Sequence, residues 1–104
     1  HEHELILRDY DRVIRLAPNF AFAYFNRGNL RCTGRDFRAA IADYDEAIRR
    51  DPELAEAYFN RGLAELSMGN ATRGIADLSK AGELGLPGAY SIIRRMTEES
   101  KSNE

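Results

Sequence analysis

Tyr24-Phe25-Asn26-Arg27-Gly28 returns 34 residues later as Tyr58-Phe59-Asn60-Arg61-Gly62. The same offset pairs Ala21, Ala23, Ile41, Ala42, Asp43 and Ala47 with Ala55, Ala57, Ile75, Ala76, Asp77 and Ala81, so eleven of 34 positions agree. It also runs backwards, because Asp9-Tyr10-Asp11, Ile14-Arg15 and Pro18 match Asp43-Tyr44-Asp45, Ile48-Arg49 and Pro52. An incomplete copy therefore precedes the two full ones. A repeat of this period restricts the fold to stacked units, each burying its apolar face only against its neighbours.

Each unit reads as helical. Apolar residues recur at three and four, as Leu5, Ile6, Tyr10, Val13 and Ile14 and again as Phe37, Ala40, Ile41, Tyr44, Ala47 and Ile48, which gives each helix one buried stripe. Ala17-Pro18 and Asp51-Pro52 end two such segments, since proline disfavours helix in the residue before it, and Arg15, Arg49 and Arg50 suit the preceding last turns. Segments from Phe20 to Cys32 and Leu54 to Leu66 stop near Gly34 and Gly69, after which Asp36 and Asn70 are expected to cap the next helix. The pattern predicts six helices at about 3–16, 20–33, 36–50, 54–67, 70–83 and 87–98. Short connections make neighbours antiparallel, so each copy is a hairpin of a first helix A and a second helix B. The chain opens on a B helix and closes on an A-like one.

Composition narrows the class. A chain of 104 residues with 43% hydrophobic content forms one domain with a core. A net charge of −2 and a pI near 5.7 leave no basic footprint for nucleic acid. No apolar run approaches the ~18 residues that span a bilayer, and His1-Glu2-His3-Glu4 does not read as a signal peptide. Without an initiating Met, and starting part-way through a repeat, the sequence is expected to be a piece of a longer protein. The lone Cys32 cannot form an internal disulfide, which points to a reducing, cytoplasmic compartment.

With this period and these helices, the chain resembles the tetratricopeptide repeat family. The family's pattern of an aromatic, a small residue, Ala, an aromatic, Ala and Pro is carried by Tyr24, Gly28, Ala40, Tyr44, Ala47 and Pro52. The second copy offers Tyr58, Gly62, Gly74, Leu78 and Ala81, with Leu86 in place of Pro and Pro87 one position later. The opening half-copy supplies Ile6, Tyr10, Val13 and Pro18. The resemblance implies an all-α solenoid of antiparallel helix hairpins stacked as a right-handed superhelix, from a longer, bacterial protein of that family. One domain is then divided as 1–20 (second helix of a truncated repeat), 21–54 and 55–86 (full repeats), 87–98 (closing helix) and 99–104 (polar tail). The alignment of Ala89-Tyr90 with Ala57-Tyr58 requires two residues fewer around Leu86-Pro87-Gly88, which leaves the register of the last helix open.

The residues explain the pattern without the name. Gly28, Gly62, Ala40, Ala47 and Ala81 fall where two helices cross closely, and Tyr24, Tyr44 and Tyr58 fill the space beside them. Arg27 with Asp43, and Arg61 with Asp77, repeat as expected structural ion pairs between helix A and helix B.

At 100° per residue, Phe22, Phe25, Asn26, Asn29, Cys32 and Thr33 share one face, and Glu56, Phe59, Asn60, Leu63, Leu66 and Ser67 share another. These faces form the candidate groove, with Phe22, Phe25, Asn26, Asn29, Glu56, Phe59, Asn60 and Leu63 as its expected lining. The resemblance implies a concave groove that holds an extended peptide or partner helix, with Asn26 and Asn60 at the place where the family grips ligand backbone. A carboxamide both donates and accepts, and so can read a peptide bond without reading side chains. Phe25 and Phe59 are either ligand anchors or packing between neighbouring A helices. A subtype that clamps a C-terminal carboxylate is disfavoured, because Phe25 and Tyr90 stand where its lysines should be, although Asn29, Asn60 and Arg94 fit. The alternative to a groove is a structural spacer or regulatory arm of a larger protein. No Ser-His-Asp set, phosphate loop or carboxylate pair argues for an enzyme, and no cofactor is implied. His1 and His3 alone make a poor metal site, and Cys32 lacks a nearby histidine base. Uncovered Leu5, Ile6, Leu7 and Val13 predict self-association through the N-terminal edge.

Overall fold

The expected helices form, separated by turns of three or four residues whose polar groups close on the preceding helix. The computed structural model describes residues 2–102 and contains α1 (Glu2–Leu16), α2 (Ala21–Thr33), α3 (Phe37–Arg50), α4 (Ala55–Ser67), α5 (Ala71–Glu83) and α6 (Gly88–Ser102). No strand occurs among the described residues, so the chain is an all-α solenoid, elongated to 50 × 30 × 17 Å. Helices α2 and α3 pair as one hairpin and α4 and α5 as the next, with α3 packed on α4 at the junction.

Three local features differ from the sequence expectation. Helix α6 runs four residues past its expected end, because nothing between Glu98 and Ser102 breaks a helix, so residues 99–102 of the expected polar tail are helical; Asn103, Glu104 and His1 lie outside the described residues. Asp36 does cap α3, accepting from the Ala39 N–H at 3.4 Å. Asn70, by contrast, makes no cap bond at α5 and turns its amide to the Glu65 carboxylate at 2.8 Å. Glu65 is buried and needs that donor. The third difference is at the A-to-B turns. Gly69 takes a left-handed backbone with φ of 84°, but the equivalent residue in the first hairpin is Arg35, with φ of 62°, and not Gly34. A side chain there is strained.

Close helix crossings explain the small residues. A methyl placed on Gly28 would come within 2.7 Å of Tyr44 Cε1, and one on Gly62 within 3.0 Å of the Gly74 carbonyl oxygen. The apolar residues divide into two clusters at the junctions between hairpins. Tyr24, Ala47, Leu54 and Ala57 form one, joined by Ile14, Phe25 and Ile48; Leu78, Ala81 and Ala89 form the other, joined by Tyr58, Phe59, Leu66, Leu86, Ile92 and Ile93. Each unit thus contacts only its neighbours, as in a one-dimensional stack.

Arginines at the same place in each A helix span three helices. Arg27 donates to both oxygens of Asp43 at 2.7 and 3.0 Å and to Asp11 of α1 at 2.8 Å. Arg61 repeats this, with Asp77 at 2.8 Å twice and Asp45 at 2.8 Å. Hydrogen bonds donated to Asp43 and to Asp77 hold the two guanidinium groups above their ordinary value, against the opposing effect of burial. The contacts to the preceding B helix, through Asp11 and Asp45, were not anticipated, although both carboxylates stand sixteen residues before their arginine. Arg31 adds a third donor to Asp43 at 3.0 Å, whereas its counterpart Glu65 cannot serve Asp77.

The last helix settles into one register. Ala89 is fully buried like Ala57, and its N–H reaches the Leu86 carbonyl as that of Ala57 reaches Leu54 and that of Ala23 reaches Phe20. Two residues have therefore been lost before α6. In this register Ile93 takes the place of Arg27 and Arg61, and Arg94 takes the place of Gly28 and Gly62.

Candidate functional site

Where α2 and α4 lie side by side over α3, an open cleft of about 320 Å³ is lined by Asn29, Cys32, Phe37, Tyr44, Asn60, Leu63, Ala64 and Ser67. Its walls are mostly apolar, with a small polar centre. Such concave, apolar surfaces with few fixed polar groups are where ligands bind.

The centre is a chain of side-chain hydrogen bonds. Tyr44 donates its hydroxyl to Asn29 Oδ1 at 2.7 Å, and Asn60 Nδ2 donates to the same oxygen at 2.8 Å. Cys32 Sγ lies 3.4 Å from the Tyr44 hydroxyl. Since that hydroxyl spends its proton on Asn29, the thiol is the donor in this contact. Burial pushes the Tyr44 phenol above its ordinary value, with the Cys32 thiol adding to the effect, so it remains a donor throughout the neutral range.

Asn29 Oδ1 thus accepts twice and is fully used. What remains is the Asn29 Nδ2 group, which donates, and Asn60 Oδ1, which accepts. Two carboxamides held by each other and by Tyr44 leave one donor and one acceptor side by side, the complement of a peptide bond.

Of the expected lining, the structure brings Asn29, Asn60 and Leu63 to the cleft. Phe22 is half exposed outside it, stacked edge-on against Phe20 and Phe25. Phe25 is half-buried against the first cluster, with its ring 6.0 Å from that of Tyr44, and Phe59 is half-buried against the second. Both phenylalanines pack the core at the hairpin junctions. Asn26 is half-buried and Glu56 exposed, and neither lines the cleft.

Tyr44, Phe37 and Ala64 were missed as site residues, and for Tyr44 a signal existed. Comparing the two copies, Asn29 pairs with Tyr44 in the first, and both become leucine, Leu63 and Leu78, in the second. A polar pair exchanged together for an apolar pair marks two side chains that touch.

Cys32 is a free thiol, half-buried. Among the described residues no group of three or more His, Cys, Asp and Glu could hold a metal ion, and no helix is long and apolar enough to cross a membrane.

The sequence profile described as "TPR repeat" matches residues 36–69. Among solved structures, the fold resembles a crystal structure of MamA, at 28% identity and a TM-score of 0.76, covering 81% of this chain and 50% of that one. Another crystal structure of MamA protein matches at 26% identity and 0.76, covering 81% and 46%. The MamA RS-1 ArsTM double mutant, at 24% identity and 0.73 over 81% and 47%, shares the fold. The chain therefore spans about half the length of these relatives. No curated protein sequence matches it. A 34-residue period and paired helices crossing at Gly28 and Gly62 accord with these likenesses: the chain carries a tetratricopeptide repeat at residues 36–69 and has the all-α repeat fold of the MamA structures.

Proposed function

We propose that the chain is a non-enzymatic protein-interaction scaffold that grips the backbone of an extended peptide in the cleft between α2 and α4, through Asn29 and Asn60. Repeats of this family generally mediate protein–protein interaction, which supports the class of function. The observation that carries the finer reading is the shared Asn29 oxygen, which fixes the orientation of both carboxamides before any ligand arrives. Preorganised polar groups lose little entropy on binding. Leu63, Ala64 and Phe37 would take an apolar ligand side chain next to the gripped peptide bond.

Selection of peptides from a random extended library displayed on phage, followed by calorimetry, tests the reading. Selected peptides should bind to wild type at least about tenfold more tightly than to Asn29→Ala or Asn60→Ala. Failure to select any peptide, or equal binding to all three proteins, would favour a spacer without a ligand of its own.

A further inference from the structure

The cleft extends beyond the two carboxamides that make its polar centre. Its lining on α4, from Asn60 to Ser67, spans about 10 Å of helix and ends where the turns join α2 to α3 and α4 to α5. No charged side chain lines it. At the turn end, the hydroxyls of Thr33 and Ser67 are already spent on the carbonyls of Asn29 and Leu63, at 3.2 and 3.0 Å.

Arg35 stands at this end. It is exposed, and its guanidinium lies over the Phe37 ring, 5.4 Å from the ring centre, while Phe37 itself lines the cleft. Arg27, Arg31 and Arg61 each close on an aspartate, but Arg35 enters no ion pair. Its neighbour Asp36 is turned to the Ala39 N–H instead. The Arg35 backbone has the left-handed conformation, φ of 62°, that Gly69 adopts in the second hairpin. A side chain held in a conformation that only glycine adopts freely is the kind of strained residue found at binding sites.

We infer that the cleft selects peptides carrying an acidic residue, whose carboxylate Arg35 receives at the turn end while Asn29 and Asn60 hold the backbone, a step that rests on the peptide-gripping reading of the cleft. An extended chain advances ~3.3 Å per residue, so about 10 Å of cleft sets the acid about three residues from the gripped bond. The Phe37 ring limits the guanidinium to few orientations, and its flat fork matches a carboxylate through two parallel hydrogen bonds. Leu63 and Ala64, between the two ends, favour an apolar residue there.

Phage selection on this chain supplies peptides, and calorimetry compares a selected peptide with the same peptide bearing the neutral amide in place of its acid. Wild type should prefer the acid about three- to fivefold at low salt, and less at high salt, as for a solvent-exposed pair. Arg35→Glu should abolish or reverse that preference. Arg35→Gly should abolish it too, in a fold that is no less stable, which separates loss of the contact from loss of structure. Arg73→Glu makes the same charge change in a separate hollow, shared with Glu65 and Met68 and with none of the cleft residues, and should keep the preference. Selected peptides with no acid at a fixed position, or a preference unchanged in Arg35→Glu, would overturn the inference and leave the carboxamide grip standing. Loss of the preference in Arg73→Glu as well would also overturn it, because the net charge of the chain would then be the cause. Failure to select any peptide would overturn the grip and the acid preference together.

Discussion

Asp43 takes two hydrogen bonds from Arg27, at 2.7 and 3.0 Å, with its side chain only 3% exposed. Its counterpart Asp77 is 13% exposed and lacks the extra donor that Arg31 gives Asp43. Removing the buried Asp43 carboxylate leaves Arg31 without its partner and Arg27 with Asp11 alone, in a poorly solvated site. Asp43→Ala should therefore cost about 3–5 kcal/mol in urea unfolding, and Asp77→Ala clearly less, about 1–2 kcal/mol, because more water reaches that pair. Equal costs would refute the ordering.

Arg35 occupies the left-handed conformation that Gly69 occupies in the second hairpin. A side chain there costs about 1–2 kcal/mol, part of which glycine returns through the greater freedom of the unfolded chain. Arg35→Gly should stabilise the fold by about 0.5–1 kcal/mol even though it removes the contact of the guanidinium with the Phe37 ring. Gly69→Ala, in the mirror experiment, should destabilise by a similar amount. Thermal unfolding of both variants reads the signs.

Gly28 leaves room for the Tyr44 ring and so couples helix crossing to the cleft. A methyl at Gly28 would press on Tyr44 at 2.7 Å, and overpacking of this kind costs about 1–3 kcal/mol. Because Tyr44 holds Asn29, Gly28→Ala should also weaken peptide binding. Gly88→Ala, where nothing lies within 4 Å, is the control expected to change neither.

Raising the pH should loosen the fold through Tyr44. Burial holds its phenol above the ordinary value, so the native state keeps a proton that the unfolded chain releases near pH 10. Its contribution is fully present below that pH and falls as pH rises beyond it, by at most about 1.4 kcal/mol per pH unit for one proton. Tyr44→Phe should be less stable at pH 7, having lost the bond to Asn29, but its stability should decline less steeply between about pH 9 and 11. Parallel curves for the two proteins would contradict the assignment.

The fold was legible because the repeat imposed it. Tyr24, Gly28 and Pro18 each recur with a counterpart, and a residue that recurs at fixed spacing has a fixed neighbour. Less of the site could be read. The 100° rule places Asn29, Asn60 and Leu63 on the inner face but cannot tell how far each side chain is covered, so Phe25 and Phe59 looked equally available. Their burial depends on the neighbouring helices, Leu54 and Ala57 for Phe25 and Leu78, Ala81 and Ala89 for Phe59, which the periodicity of one helix does not reveal. Tyr44 was hidden for a similar reason. A B-helix residue enters the cleft only because Gly28 lets its ring pass beneath α2, and that depth is a property of two helices together.

The central claim is that Asn29 and Asn60 read a peptide bond, and it makes an atomic demand. The ligand's N–H must reach Asn60 Oδ1, and its carbonyl must accept from Asn29 Nδ2. N-methylating a selected peptide one bond at a time, with calorimetry against wild type and Asn60→Ala, measures this directly. The account predicts one position at which methylation weakens wild-type binding by about tenfold or more yet scarcely alters binding to Asn60→Ala. Equal losses in both proteins at every position would contradict it.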